Sequence, residues 1–360
     1  MISLLYVFGV AWLHSDSMRS ATRVPNRLLP ATVALAALTA LTAACSSGGE
    51  NGSVTIYSGR TEDLIGPILE DFTAETGIDV EVRYGDSADL ALLIEEEGDR
   101  TPADVFLSQS PGAVGFLEAA GRLAELPTDV LDLVPASVRD DEGRWVGFSG
   151  RQRVLVYNPE LVAAGELPTS IFELTDPSWG GRLAIAPANS SFQDFVTTMR
   201  AEIGDDETGQ WLEGLVANDV RSYPKNSAIV AAVGRGEVAA GLVNHYYNFR
   251  ALDEDPQHPG LNHQFAVDDL GGVLIVTGAA IVEGTDRSAE AEQLVTWLLG
   301  EQAQRYFADE TFEYPLAPGV EPAVTIPPAS FAEVGGIDYD QLGGGLEATR
   351  DLITSAGLEG

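Results

Sequence analysis

Ser53-Val-Thr-Ile-Tyr57-Ser-Gly-Arg-Thr61-Glu-Asp-Leu-Ile-Gly-Pro-Ile-Leu-Glu-Asp-Phe72 decides the fold class. Residues 53–57 are rich in β-branched and aromatic side chains and read as a strand. Ser58-Gly-Arg-Thr61 turns the chain, and Glu62 and Asp63 suit the positive first turn of a helix. Leu64, Ile65, Ile68, Leu69 and Phe72 recur at helical spacing and give that helix one apolar face, up to Gly77. Residues 78–84 alternate as a strand, Gly85-Asp-Ser-Ala-Asp89 opens a helix over 90–98, and 104–107 is a short strand. A helix around 113–120 follows. This β-α-β-α-β order predicts a parallel or mixed sheet with helices on its faces. Ligands in such sheets bind beyond the carboxyl ends of strands, here 57–61, 84–87 and 108–110.

Further on, residues 144–158 read as a long strand pair, with Arg151 and Arg153 among apolar neighbours. A buried guanidinium needs a partner; an anion and a structural carboxylate are both open. Residues 175–186 form a turn and a strand. Asn189, Ser190 and Ser191 precede a helix over 192–203, either as an ordinary cap or as an anion site made by free helix-start amides. Residues 220–233 are a strand, a turn and a helix; 272–282 is a long apolar strand; 289–307 is helical; 313–316 is a tight segment; 339–360 is mainly helix. Long strands near 153–157 and 273–276 flank a second α/β block. That pattern predicts two lobes joined by two crossovers, with a cleft that closes by hinging. The expected organisation is lobe one from 53–152 plus 276–325, lobe two from 153–275, and a C-terminal helical segment from 326–360.

The small apolar run over 238–243 leads into Asn244-His-Tyr246-Tyr247. Neighbouring residues on a strand point to opposite faces, so a target shared by Tyr246 and Tyr247 requires a strand end, a bend or a helix start. Two phenols can share a hard trivalent metal that displaces their protons; the plainer alternative is packing at a sheet edge.

The chain has 360 residues, enough for one large or two medium domains, and 45% hydrophobic content. Its 55 acidic against 20 basic residues give a charge of -35, which argues against nucleic acid as a partner. Lys225 is the only lysine. Residues 18–27 are basic, 28–40 are apolar, and Leu41-Thr-Ala-Ala-Cys45 is a lipoprotein-type cleavage site. Residues 1–45 are therefore a leader whose true start is Met18, too short for a transmembrane span. Cys45, the only cysteine, becomes a lipid anchor at the cell membrane, and 46–52 form a flexible tether. No hydrolase elbow, zinc-protease motif, phosphate loop or cysteine nucleophile is present, so an enzyme is not expected.

Six motifs in order carry a resemblance: Val54-Thr-Ile-Tyr-Ser-Gly-Arg60, Glu95-Glu-Glu-Gly98 with Pro102-Ala-Asp-Val-Phe106, Ser149-Gly-Arg-Gln-Arg153 through Asn158, Pro224-Lys-Asn-Ser227, Asn244-His-Tyr-Tyr247 and Glu313-Tyr-Pro-Leu316. Over nearly all of 53–316 the chain resembles the ferric-iron-binding lipoproteins and periplasmic proteins of bacterial ABC importers. The resemblance implies an α/β, two-lobe periplasmic-binding-protein fold of the class II type, with mixed sheets flanked by helices and a hinge of two crossover strands. It implies Fe(III) held by Tyr246 and Tyr247, taken as free ion or small ferric chelate, and delivered by a monomer to a membrane permease. Where many members have a histidine this chain has Thr61; Gln109 stands where some have glutamate; Asn189 and Gln193 stand where others supply a third tyrosine. Members with few protein ligands use carbonate or phosphate as a synergistic anion. Arg60, Arg151, Arg153, Ser190, Ser191, Asn226 and Asn244 are the candidates to hold it, with Ser58, Thr61, Gln109 and Asn189 as further cleft residues. The alternative is a receptor of the same fold for an oxyanion or another complexed metal.

Overall fold

The computed structural model describes residues 53–109, 111–266, 269–323 and 345–358. The expected leader, Cys45, the tether, Ser110 and residues 326–344 and 359–360 of the expected C-terminal segment lie outside them.

The elements β1 (Val54–Ser58), α1 (Glu62–Thr76), β2 (Val80–Tyr84), α2 (Ser87–Glu97) and β3 (Val105–Ser108) give the β-α-β-α-β order. All five apolar positions read from the α1 sequence are buried. Gly77 ends the helix in the left-handed region, φ 74°, with its amide donating to the Thr73 carbonyl; glycine takes that conformation without a Cβ clash. Two helices, α3 (Pro111–Ala119) and α4 (Thr128–Leu131), lead to β4 (Trp145–Tyr157). The central block is β5 (Leu183–Ile185), α5 (Ser190–Ile203), α6 (Asp205–Ala217), β6 (Arg221–Ser222), α7 (Asn226–Gly234), β7 (Ala240–Asn244), α8 (Tyr246–Glu254) and β8 (Leu261–His263). The chain returns through β9 (Leu274–Ile281), α9 (Ser288–Leu298), α10 (Glu301–Asp309) and β10 (Tyr314–Pro315), and α11 (Leu346–Ser355) closes it. No described helix is long and apolar enough to cross a membrane.

The strands form one hydrogen-bonded path in the order β2-β1-β3-β9-β4-β7-β5-β6, with β8 and β10 also on β4. Pairing is parallel from β1 to β2 and β3, antiparallel where β9 enters, and parallel again from β5 to β6 and β7. The expected strand pair over 144–158 is instead one 13-residue strand with an irregularity between Gly147 and Ser149. At about 3.3 Å per residue it extends roughly 43 Å. Its first part pairs with β9 and its last part, Arg153 onward, with β7. So β4 passes from one core to the next without a break.

One core is built from β1, β3, α1, α2, α3, α9, α10 and the first part of β4; others form around β5, β7 and helices α5, α6 and α7. At the start of β9 the alternation of a strand divides the side chains: Leu274 and Val276 belong to the first core, Val273 and Ile275 to the second. Besides these two crossover strands, the end of the chain ties the cores together. Ala323 packs against the first core, while Ile353 and Leu358 are buried in the second. The helix expected over 289–307 is two helices, because Gly300 takes an extended conformation between α9 and α10.

Gly241 is the one residue of β7 that cannot carry a side chain. A Cβ there would lie 2.3 Å from Ile229 Cγ2 of α7 and 3.1 Å from the Ala184 carbonyl of β5. Both neighbours are in the core, so relief requires the helix to lift off the sheet. Gly241→Ala is expected to destabilise by about 1–3 kcal/mol, seen as a lower urea midpoint with an unchanged m value.

Candidate metal centre

The buried small residues of β7 carry the chain to Asn244, and His245 already has helical dihedrals, φ -53° and ψ -39°. Tyr246 therefore begins α8, which is the helix start that a shared direction for both phenols requires. The two rings stack with centroids 4.2 Å apart and planes 27° from parallel. Tyr246 is fully buried. Tyr247 opens on a cleft of about 490 Å³ whose lining includes Thr61, Asp63, Gln109, Lys225 and Arg250. Gln109, at the carboxyl end of β3, donates from Nε2 to the Tyr246 hydroxyl at 3.4 Å. Burial first, then Tyr247 and Glu313, pushes the Tyr246 phenol well above its ordinary value. Among the described residues no group of three His, Cys, Asp or Glu side chains forms a metal site.

Next to the tyrosines lies a buried cationic layer. Arg151 and Arg153 stand two apart on β4, hence on one face of the strand. Arg153 Nη1 donates to Asn244 Oδ1 at 3.0 Å, Asn244 Nδ2 to Ser191 Oγ at 3.2 Å, and Arg151 Nε to the same Ser191 Oγ at 3.4 Å. Arg151 Nη2 also donates to the Gln109 carbonyl. This circuit leaves Arg151 Nη1 and Arg153 Nε and Nη2 buried without a hydrogen-bond acceptor among the described residues. Burial, then the charge of Arg151, lowers Arg153 to about 9, so it stays cationic at neutral pH. Two guanidiniums with unused donors on one face can receive an oxyanion, for which their planar forks are shaped.

The structure separates the other candidates. Arg60 is not available to an anion: fully buried, it is paired with Glu313, Nη1 to Oε1 at 3.0 Å and Nη2 to Oε2 at 2.5 Å. Glu313 reaches it because Tyr314 and Pro315, the next two residues, return as β10 beside β4. The Ser58 hydroxyl is likewise spent, accepting from the Arg60 amide and donating to the Arg60 carbonyl in the turn after β1. Asn189 sits at the start of α5 without a side-chain cap bond and accepts instead from Asn226 Nδ2 at 3.2 Å; Asn226 Oδ1 has no donor among the described residues. Ser190 is half-buried beside Ser191. His245 stacks on Tyr314 at 4.7 Å, its Nδ1 accepts from the Gln152 amide, and burial holds it down at about 4. It is a neutral packing residue.

Asp63, Lys225 and Arg250 line the cleft and were not singled out for it from sequence. One signal existed: Arg250 lies three and four residues after the tyrosines, one helical turn along the same face.

The continuous mixed sheet and its helices, crossed by two strands, define the two-lobe periplasmic-binding-protein fold. Iron-bound HitA from Pseudomonas aeruginosa matches with a TM-score of 0.80 at 33% identity, over 85% of this chain and 99% of that one. A Trichodesmium protein solved with iron and citrate matches at 0.73 and 26%, over 86% and 100%. The family described as bacterial extracellular solute-binding protein matches residues 100–339. The major ferric iron-binding protein of Neisseria meningitidis is 31% identical over 331 residues, 90% of this chain and 97% of that one. The Fe(3+)-binding periplasmic protein of Serratia marcescens is 30% identical over 309 residues, 85% and 90%. The chain belongs to the bacterial extracellular solute-binding proteins, on the branch of the ferric iron-binding proteins.

Proposed function

We propose that this protein is the receptor of an iron importer, capturing Fe(III) between its lobes on Tyr246 and Tyr247 and delivering it to the membrane permease of an ABC transporter. The observation that carries this reading is the pair of stacked phenols at the first turn of α8, one buried and one open to the cleft. The relatives' names point to the same cargo. Fe(III) is a hard cation, and phenolate oxygen suits it once the proton is gone. Two phenolates leave most of its shell open. An oxyanion such as carbonate or phosphate fills it, held by Arg151 and Arg153 with Ser190, Ser191, Asn226 and Asn244 nearby. Arg60 leaves that set because Glu313 has it. Thr61 and Gln109 line the cleft as neutral groups, so neither adds a charged oxygen beside the tyrosines and the co-bound anion supplies one. Residues 53–152 with 276–325 and residues 153–275 are the two moving lobes, and Cys45 anchors the mature chain to the membrane through lipid.

The test is a visible-absorbance titration of the metal-stripped mature protein with ferric citrate, with and without bicarbonate or phosphate. A coloured one-to-one complex that tightens with the added anion is expected, and Arg153→Gln is expected to remove that anion dependence. Absence of colour overturns the ferric reading. The unfilled arginine donors also suit a receptor for a metal-free oxyanion. Tight binding of phosphate or carbonate by the colourless protein would establish that second reading.

A further inference from the structure

The helix that carries the tyrosines sits on the seam between the first core and the cluster of α7, β5 and β7, and its faces are divided between them. Tyr247 and Ala251 pack against the cluster formed by α7, β5 and β7. Phe249 packs against the first core, with its ring 6.1 Å from Phe312. Arg250 reaches across the cleft: its Nη2 lies 2.9 Å from Asp63 Oδ2, in the first turn of α1. The two residues are 187 positions apart in the chain and both line the cleft. Asp63 also faces Thr61 and takes a hydrogen bond from its side chain.

We infer that Arg250 and Asp63 are a cross-cleft latch, a pair of positioning residues that holds α8 and its tyrosines under lobe one and sets how readily a loaded site reopens. Three features favour this over a chance surface pair. It joins elements of different cores and cannot form unless the lobes approach. It lies one helical turn from Tyr246, so any hinge motion that exposes the tyrosines must separate it. It is an ion pair at the mouth, beside the apolar Phe249–Phe312 packing, so it can act on opening without supporting either core. The Arg250 side chain is 29% exposed and that of Asp63 60%. Exposed pairs contribute little, so the latch is weak by its position: removing it changes the closed-to-open ratio by roughly two- to fivefold. A latch of that size biases closure and still lets the cargo leave.

The latch is independent of cargo, but its effect on iron retention rests on the ferric reading above. The experiment therefore has a metal-free arm. In the full chain with Cys45→Ser, spin labels at Glu70→Cys on α1 and Glu207→Cys on α6 report the interlobe distance without any ligand. Arg250→Glu, which faces Asp63 with a like charge, is expected to shift the distance distribution toward longer values, and Asp63→Arg/Arg250→Glu to restore it. Raising the salt concentration should act on the parent protein in the direction of Arg250→Glu. Unchanged distances in Arg250→Glu, or no recovery in the charge swap, overturn the latch. In a second arm, iron loss to a competing chelator is expected to accelerate about equally in Arg250→Gln and Asp63→Asn, with no further gain in the double variant. A shift of the ferric absorption band in Asp63→Asn alone would make Asp63 a metal ligand and overturn the proposal. If the parent protein never colours but its distances follow the charges, the latch stands and the ferric reading falls.

Discussion

Tyr246→Phe/Tyr247→Phe is expected to fold, to lose the visible band of the ferric complex entirely, and to bind Fe(III) more than roughly 100-fold less tightly. That figure is the ceiling for losing an outer-shell partner, and these two oxygens are proposed to bind the metal itself. Phenylalanine keeps both rings and the 4.2 Å stack. At Tyr246 the substitution removes the long hydrogen bond from Gln109, 3.4 Å, and leaves the buried ring in place. A stability measurement beside the titration separates loss of ligands from loss of fold. The phenol of Tyr246, held up by burial, Tyr247 and Glu313, is protonated in the empty protein at neutral pH. Under the proposed ligation, binding expels that proton, so loading is expected to release acid and to tighten as pH rises. A pH-stat run during loading checks the release, and the double variant should show none from these positions.

Glu313→Ala is expected to be the most destabilising single change in the first core, at about 3–5 kcal/mol. It strands a fully buried guanidinium whose partner is gone. Arg60 lies against the paired Phe148 and Phe307 rings, 5.6 Å from each centroid, and is fully buried. Replacing both partners, as Arg60→Met/Glu313→Leu, should recover much of the loss, since a buried pair exchanged for apolar volume is often neutral. Burial raises the Glu313 carboxyl, but the charge and hydrogen bonds of Arg60 outweigh it and hold the group below its ordinary 4.5. With the folded value depressed, the pair's stabilisation is complete above about 4.5 and is lost as the pH falls through the lower folded value. Urea midpoints taken at neutral and acid pH should show that slope in the parent and not in Glu313→Ala.

Local pattern made the first half of the fold legible. Leu64, Ile65, Ile68, Leu69 and Phe72 declare one face of α1, and all are buried. Gly77 and Asp86 mark helix ends by their own chemistry, a left-handed turn and a side-chain cap at 2.9 Å. The tyrosine pair was legible as a condition: a shared target demanded a strand end, a bend or a helix start, and α8 begins at Tyr246. What stayed hidden depends on distance along the chain. Arg60 and Glu313 are 253 residues apart, and no local rule distinguishes an arginine meant for a carboxylate from one left for an anion. The single strand β4 read as a pair because it is buried on both faces. It therefore lacks the alternation that marks a strand's extent. Arg250 carried no local mark of its role: its partner Asp63 is 187 residues away.

The position of β9 sets the order in which this molecule can come into being. As the chain emerges amino end first, β3 and β4 are made early, yet they do not touch in the finished sheet; β9 must be threaded between them. Until residue 281 arrives, each presents an unpaired edge, the kind of surface on which chains stick to one another. The second core waits longer still, for Ile353 and Leu358. Neither half can close before β9 is made, and a nascent fragment is a hazard rather than a half-built receptor.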